Sequence, residues 1–528
     1  MKQRYLLHQA VGDHAEEHPE HPAIRYSGKQ LTYAQLYQQA NQLANVLIDL
    51  GVQRGDRVGI YMNKSLYSAV AIYGILSAGA AYVPLDPFAP VNRLSFVIND
   101  CDIQILITHP NKVDSLREMA AQTGLKHLVG LDAQPGLAVE CTSWDQVFQA
   151  PAQTPAAAPI EQDLAYILYT SGSTGTPKGI MHTHRSGLSF AEWAADVYGL
   201  TREDRLSNHA PLHFDLSTFD FFAGAIAGAT TVIVPEAVTK LPASMAKLIQ
   251  DERISVWYSV PFALIQMMQR ADLASKDFTA LRWILFAGEP FPTKHLRDLM
   301  NTFPDIQFSN LYGPTETNVC TYYHVPPLPA DSDESIPIGI TCANAEDLVV
   351  DSDSNPVPYG EVGELLIRGG TVMKGYWGRP DLSERGFFRR TVFGYCEDIF
   401  YRTGDLVQQM PDGNFKFLGR KDRQIKTRGY RVELDEVENA LLSHPLVHEA
   451  ATYPVADLEG SSLIEAAVIL KEGAALSAGD LTEHLSGRLP SYAIPAKIYI
   501  ADDFPRTSTG KINRRELQAR ASQPNTAP

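Results

Sequence analysis

The stretch LAYILYTSGSTGTPKG, Leu164 to Gly179, decides how this chain is read. Its first seven residues, LAYILYT, are an apolar and aromatic run of the length of one buried strand. Hydroxyl and glycine residues follow from Thr170 to Gly175, then Thr176, Pro177, Lys178 and Gly179. Glycines permit close backbone approach, hydroxyls and exposed N–H groups can wrap phosphate oxygens, and Lys178 adds a point charge. The spacing is not that of the GxxxxGK[ST] loop. Gly172 and Gly175 lie three apart, and Lys178 precedes a glycine rather than Ser or Thr.

Outward from this segment, strand-like and helical patterns alternate through the first 310 residues. RVGIYM (57–62), IQILIT (103–108), TTVIVP (230–235), ISVWYS (254–259) and RWILFAG (282–288) read as buried strands. Helical patterns such as PFALIQMMQR and FPTKHLRDLM follow several of them. The alternation predicts an α/β fold with mostly parallel sheets. APAQTPAAAP (150–159) reads as a surface linker between two doubly wound α/β subdomains. After about 335, short strands broken by Asp-Ser, Asn-Pro and Gly turns predict a small β-barrel or meander. From 422 the pattern is α+β, with Leu434, Val437 and Leu441 as a helical stripe and ATYPVA and LIEAAVILK as strands. The expected division is an N-terminal core, 1–421, and a C-terminal domain, 422–528.

Composition bounds the function. The 528 residues are 45% hydrophobic and 20% charged, enough to bury sizeable cores, and the formal charge is −16. Such acidity speaks against nucleic-acid or anionic-membrane partners. Five scattered cysteines without a CxxC pair predict neither a disulfide scaffold nor a zinc ribbon. The start lacks a signal-peptide pattern. The most apolar stretch, Ala69 to Leu85, is broken by Gly74, Gly79 and Pro84 and reads as helix, turn and strand rather than a membrane span. A soluble cytoplasmic protein is expected.

YTSGSTGTPKG resembles the signature of the adenylate-forming superfamily, which includes nonribosomal-peptide adenylation domains, acyl-CoA synthetases and luciferases. Further similar segments follow in the family's order: LTYAQL (31–36), LSAGAAYVPLDP (76–87), HFDLST (213–218), NLYGPTET (310–317), GELLIRGGTVMKGYW (363–377), YRTGDL (401–406), GRKDRQIKTRGYRVEL (419–434), LPSYAIP (489–495) and PRTSTGKINRREL (505–517). GYRVEL and YGPTE look like the amino-acid-activating branch. The resemblance implies a large N-terminal domain of two doubly wound subdomains plus a β-barrel, with a hinged α+β C-terminal domain.

It also implies a chemistry. Displacing pyrophosphate from ATP with a carboxylate requires charge neutralisation, hence Mg²⁺ and cationic groups in a dry pocket. By resemblance, Thr170, Ser171, Gly172, Ser173 and Thr174 with Lys178 hold the β- and γ-phosphates. Glu316 binds the metal and Thr315 meets the α-phosphate. Tyr312, beside Gly313, stacks on adenine opposite the Gly288–Glu289–Pro290 backbone, and Asn310 reads the amino edge. Asp405 accepts the ribose hydroxyls, assisted by Arg420. Lys511 is the principal catalytic residue, and Asp422 is the hinge on which its domain swings to a thioester-forming pose. In that pose Gly429, Tyr430 and Arg431 line a pantetheine tunnel.

In the amino-acid branch the Asp of the FD box, here Asp215, pairs with the substrate ammonium. An uncompensated carboxylate among Phe214, Leu216 and Phe219 would be costly, and an ammonium compensates it. Helix capping is the alternative role for Asp215, and Asp220 is a weaker candidate for the ammonium partner. The implied pocket is Asp215, Leu216, Phe219, Tyr258, Leu285, Ala287, Leu311, Val319 and Cys320, completed by Lys511. It is one carboxylate in a bulky apolar wall, suited to proline, valine or alanine. The set resembles that of free-standing proline-adenylating enzymes, with Phe219 where a leucine is expected.

No carrier-domain serine box or HHxxxDG box occurs, so a separate phosphopantetheine carrier protein is the expected partner. Excision from a larger synthetase would look the same. The expected reaction is L-proline activation with ATP, then thioester formation on the carrier. Another small apolar amino acid, an acyl-CoA synthetase and a catalytically silent nucleotide-binding regulator are the alternatives.

Overall fold

A computed structural model describes residues 2–172, 175–331, 334–457, 462–506 and 512–521. Two compact units emerge. The larger comprises Met1–Pro87, Val97–Tyr169 and Gly179–Gly419, and the smaller Phe88–Phe96, Thr170–Lys178 and Arg420–Pro528.

The larger unit is α/β, as the alternation predicts. LAYILYT forms the strand Leu164–Thr170 residue for residue, and it lies in an eight-stranded sheet beside Ala81–Pro84. The apolar stretch before it divides as read. Helix Leu66–Ser77 starts after Ser65, whose N–H donates to Ser68 Oγ at 3.1 Å, Gly79 turns at φ 77°, and strand Ala81–Pro84 follows. Ser68 through Ser77 are buried, which explains their all-round apolar character. Among the described residues no helix is long and apolar enough to cross a membrane.

A nine-stranded sheet carries the other half of this unit. Its parallel centre includes Gln307–Tyr312, Trp283–Ala287, Val256–Ser259, Arg205–Asn208 and Thr230–Ile233. The first strand of the chain, Pro22–Tyr26, joins it beside Thr230–Ile233. The two sheets are therefore interleaved along the sequence rather than consecutive. This corrects the linker expectation: residues 150–159 connect two strands of the same sheet, Glu140–Thr142 and Leu164–Thr170. Nor is the segment loose. Asn41, Gln42 and Asn45, on helix Tyr33–Asp49, donate to the carbonyls of Ala150, Pro151, Ala152 and Gln153. Those bonds satisfy backbone acceptors that a sheet ladder does not reach.

The β-rich segment is an antiparallel sheet of Ala345–Val350, Val362–Gly369, Cys396–Gln409 and Phe387–Val392, with Phe415–Arg420 paired to Cys396–Gln409. Its Leu365, Ile367, Val407 and Phe415 pack with Tyr312 and Cys320. The meander thus buries one face against the end of strand Gln307–Tyr312.

In the smaller unit, helix Leu434–Leu442 buries Leu434, Val437 and Leu441, the predicted stripe. They pack on the three-stranded sheet of Val447–Ala456, Ser462–Leu470 and Lys497–Ile500. Strands Gln424–Thr427 and Tyr430–Glu433 form a hairpin. Its turn holds Arg428 and Gly429 at φ 51° and 83°, the left-handed pair of a type I′ turn.

Candidate active site

Strand register assembles the apolar pocket. Tyr258 lies opposite Leu285, and Ala287 opposite Leu311. Side chains alternate along a strand, so these four share one face while Trp257, Ile284 and Phe286 enter the core on the other. Phe219 and Val319 join the first cluster, with Leu216 half-buried against it. Cys320 is buried in the adjoining cluster with Tyr312. Phe219 opens a π-helical segment, Phe219–Ala223, a widened turn frequent at functional sites. Its ring meets Tyr258 edge-on at 5.3 Å and Tyr198 at 6.0 Å. The wall is aromatic, rigid and closely packed.

Asp215 stands half-buried at the start of helix Leu216–Thr218, and its side chain makes no cap hydrogen bond there. Its backbone carbonyl accepts from Thr218 Oγ1 at 2.6 Å. Burial raises the phenols of Tyr166 and Tyr258, and the Asp215 charge adds to the rise of both. Asp220 is different in kind. It is fully buried, accepts from Asn208 Nδ2 at 2.9 Å, and its carboxyl is pushed well above the usual range by burial. The loop leading to Asp215 is anchored by a residue to which the sequence assigned no role. Buried Lys64 donates Nζ to the carbonyls of Asn208, His209 and Ala210 at 2.8, 2.8 and 3.3 Å. Burial draws its pKa down to about 8.

A second group of polar residues gathers around the loop after Tyr312. The Tyr312 phenol donates to Asp405, itself buried. Asn310 donates Nδ2 to the Pro337 carbonyl at 2.8 Å. Glu316 is fully buried and accepts from Tyr376 Oη at 2.8 Å. The Thr315 carbonyl lies 2.8 Å from His182 Nε2, which must carry the proton because a carbonyl only accepts. Burial pulls His182 to about 4, so it is neutral at physiological pH. Gly313 allows the loop to close, since a Cβ there would lie 1.6 Å from the Asn318 carbonyl. Glu289 accepts from the Phe262 N–H at 2.9 Å, at the start of helix Pro261–Arg270, and Gly288 and Pro290 flank it beyond strand Trp283–Ala287. Tyr376 lies within the GELLIRGGTVMKGYW segment and His182 in no quoted segment, but only the folded chain brings them to Glu316 and Thr315.

In the smaller unit, the glycine-rich loop leaves its strand at Thr170, whose Oγ1 is buried with no hydrogen-bond partner among the described residues. Ser171 Oγ donates to the Arg431 carbonyl at 3.0 Å and accepts from the Glu433 N–H at 3.3 Å. At Gly172 a Cβ would meet the Thr176 carbonyl at 2.1 Å. Lys178 is half-buried and draws the Glu433 carboxyl down against the larger upward effect of burial. Arg420 grips Asp422 with two N–H groups, at 2.7 and 2.8 Å. Ser173, Thr174 and Lys511 lie outside the described residues.

The AMP-binding enzyme family matches residues 11–377, and the AMP-binding enzyme C-terminal domain matches residues 436–511. The chain belongs to the AMP-binding enzyme family. It is 37% identical over 512 residues to an L-proline--[L-prolyl-carrier protein] ligase of Pseudomonas fluorescens, covering 97% of this chain and 98% of that one. A Streptomyces coelicolor ligase of the same description is 37% identical over 533 residues, covering 98% and 97%. Amide bond synthetase McbA from Marinactinospora thermotolerans shares the fold with a TM-score of 0.85 at 23% identity, covering 97% and 99% of the two chains. As an AMP-binding enzyme the chain uses ATP. Each unit holds groups whose chemistry suits a nucleotide: in the smaller, the Thr170 hydroxyl and the half-buried Lys178, and in the larger, the buried Tyr312–Asp405 pair.

Proposed function

We propose that this enzyme activates L-proline with ATP, forming prolyl-AMP and pyrophosphate, and passes the prolyl group to the phosphopantetheine thiol of a separate carrier protein. The carrying observation is a half-buried carboxylate, Asp215, at a closely packed wall of Phe219, Tyr258, Leu285, Ala287, Leu311 and Val319. One anion selects one ammonium, and the apolar wall offers no partner to a second charge. Proline's secondary ammonium retains two N–H donors and its ring fills a compact site. The two relatives named above support the choice of proline and of a carrier.

In this reading Asn310 turns its Oδ1 acceptor to the adenine amino group, because its Nδ2 is committed to Pro337. Tyr312 stacks on the base, beside Gly313 and opposite Gly288–Glu289–Pro290, and orients Asp405 for the ribose diol, with Arg420 assisting. Thr170, Ser171, Gly172, Ser173, Thr174 and Lys178 receive the phosphates. A single carboxylate such as Glu316 suits Mg²⁺, which is held by one or two carboxylates together with substrate phosphates. When bound, the ion neutralises phosphate charge. Tyr376 fixes one Glu316 oxygen, while His182 holds the Thr315 backbone that presents Thr315 to the α-phosphate. Lys511 supplies the cation that bridges the attacking carboxylate and the phosphate, and Asp422 is the hinge between residues 1–421 and 422–528.

The test is product analysis. Incubation with L-proline, ATP and magnesium should give enzyme-bound prolyl-AMP and one equivalent of pyrophosphate, and added pantetheine thiol should release AMP. Pyrophosphate release that does not require an amino acid would overturn the reading.

A further inference from the structure

The antiparallel meander breaks its own register next to the carboxylate read as the ribose acceptor. Glu364 lies opposite Leu406 and Leu366 opposite Arg402, so Thr403, Gly404 and Asp405 together face Leu365 alone. Three residues against one make a bulge in strand Cys396–Gln409. Gly404 takes φ 73° there, the left-handed region that favours glycine. Bulges recur beside active sites, where they re-aim a side chain.

A bulge leaves backbone groups without ladder partners, and here buried side chains supply them. The Glu364 carboxylate, on strand Val362–Gly369, accepts from the Gly404 N–H at 3.2 Å through one oxygen. Its other oxygen accepts from Arg402 Nη1 at 2.9 Å, and Arg402 Nη2 donates to Ser354 Oγ. Thr403 Oγ1 donates to the Leu365 carbonyl at 2.7 Å and accepts from the Asp405 N–H at 3.1 Å. Glu364, Thr403 and Asp405 are all buried, so a lost bond here is not replaced cheaply by water. The Tyr312 phenol then holds the side chain that this backbone presents.

We infer that Glu364 and Thr403 are positioning residues of the nucleotide site, which set the bulge so that the Asp405 carboxylate meets the ribose diol. Neither needs to touch the nucleotide. Two vicinal hydroxyls are met by two carboxylate oxygens at once, so a small turn of the Asp405 backbone costs both bonds. The Arg402 guanidinium compensates the Glu364 carboxylate, whose burial alone would be costly. The inference rests on the ribose reading of Asp405 and is independent of which acid is activated.

The test compares ATP with 2′,3′-dideoxy-ATP, which lacks both hydroxyls, in amino-acid-dependent exchange. Wild-type enzyme should strongly prefer ATP in kcat/KM. Glu364→Gln leaves Arg402 without its anion, and Thr403→Val removes the hydroxyl that closes the bulge. Each should lower kcat/KM for ATP roughly tenfold or more, as when a buried bonded group loses its partner. With dideoxy-ATP, and in KM for the amino acid, each should stay within about twofold of wild type. Thr403→Ser, which keeps the hydroxyl, should retain the preference. Thr403→Val changes no charge and carries the test alone if Glu364→Gln does not fold. Equal loss on both nucleotides, or an undiminished preference for ATP, would overturn the inference. Equal use of the two nucleotides by the wild-type enzyme would instead overturn the ribose reading of Asp405.

Discussion

The Tyr312 phenol donates a hydrogen bond to the Asp405 carboxylate, 93 residues further along the chain. One residue ends a strand of the nine-stranded sheet and the other stands in the antiparallel meander, so the bond ties two sheets together at one point. If these residues hold base and ribose, Tyr312→Phe leaves the stacking surface and loosens the diol acceptor. The expected outcome is a roughly tenfold rise in KM for ATP with little change in that for the amino acid. Exchange kinetics at varied ATP check it.

Lys64 predicts a different split. Its ammonium satisfies three carbonyls at the root of the loop that carries Asp215. Lys64→Met strands those acceptors and should lower stability by about 2–4 kcal/mol. It should also raise KM for the amino acid more than that for ATP. Urea unfolding and exchange kinetics on the same variant measure the two effects.

Asp204 governs acid stability. Burial raises its carboxyl, but Arg282, Ser255 and the Thr201 N–H outweigh that, and the net shift is downward from 3.8. A carboxyl lowered by folding contributes stability that is present above its unfolded pKa and lost as pH falls through the folded value. Asp204→Asn leaves the Arg282 guanidinium without its anion and should cost about 3–5 kcal/mol near neutral pH. The cost should shrink below pH 3.8, where the wild type loses the same charge. Thermal unfolding across pH tests this.

Phe219 sets the size of the wall. It is fully buried between Tyr258 and Tyr198. Phe219→Leu removes ring volume and should raise kcat/KM for the six-membered homologue pipecolate relative to proline. A competition assay with both acids measures the ratio.

Much of this was legible in the sequence because it is local. LAYILYT and PFALIQMMQR became a strand and a helix with the predicted bounds, since period and punctuation act within a few residues. The pocket positions could be carried across from the resemblance, and register then put Tyr258, Leu285, Ala287 and Leu311 on one face. The interleaving of the sheets was not legible. It depends on parallel pairing of Pro22–Tyr26 with Thr230–Ile233, which leaves no turn between partners to read. Residues 150–159 look like a linker because their carbonyls are satisfied by side chains of a distant helix. Tyr376, His182 and Asn318 have partners 60, 133 and 100 residues away, beyond any local pattern.

The central claim is that Asp215 and its apolar wall select proline for adenylation. ATP–pyrophosphate exchange over the proteinogenic amino acids and a few short carboxylic acids tests it most directly. The account predicts a dominant signal with L-proline that Asp215→Ala abolishes. A dominant signal with another amino acid, or exchange that survives Asp215→Ala, would contradict it.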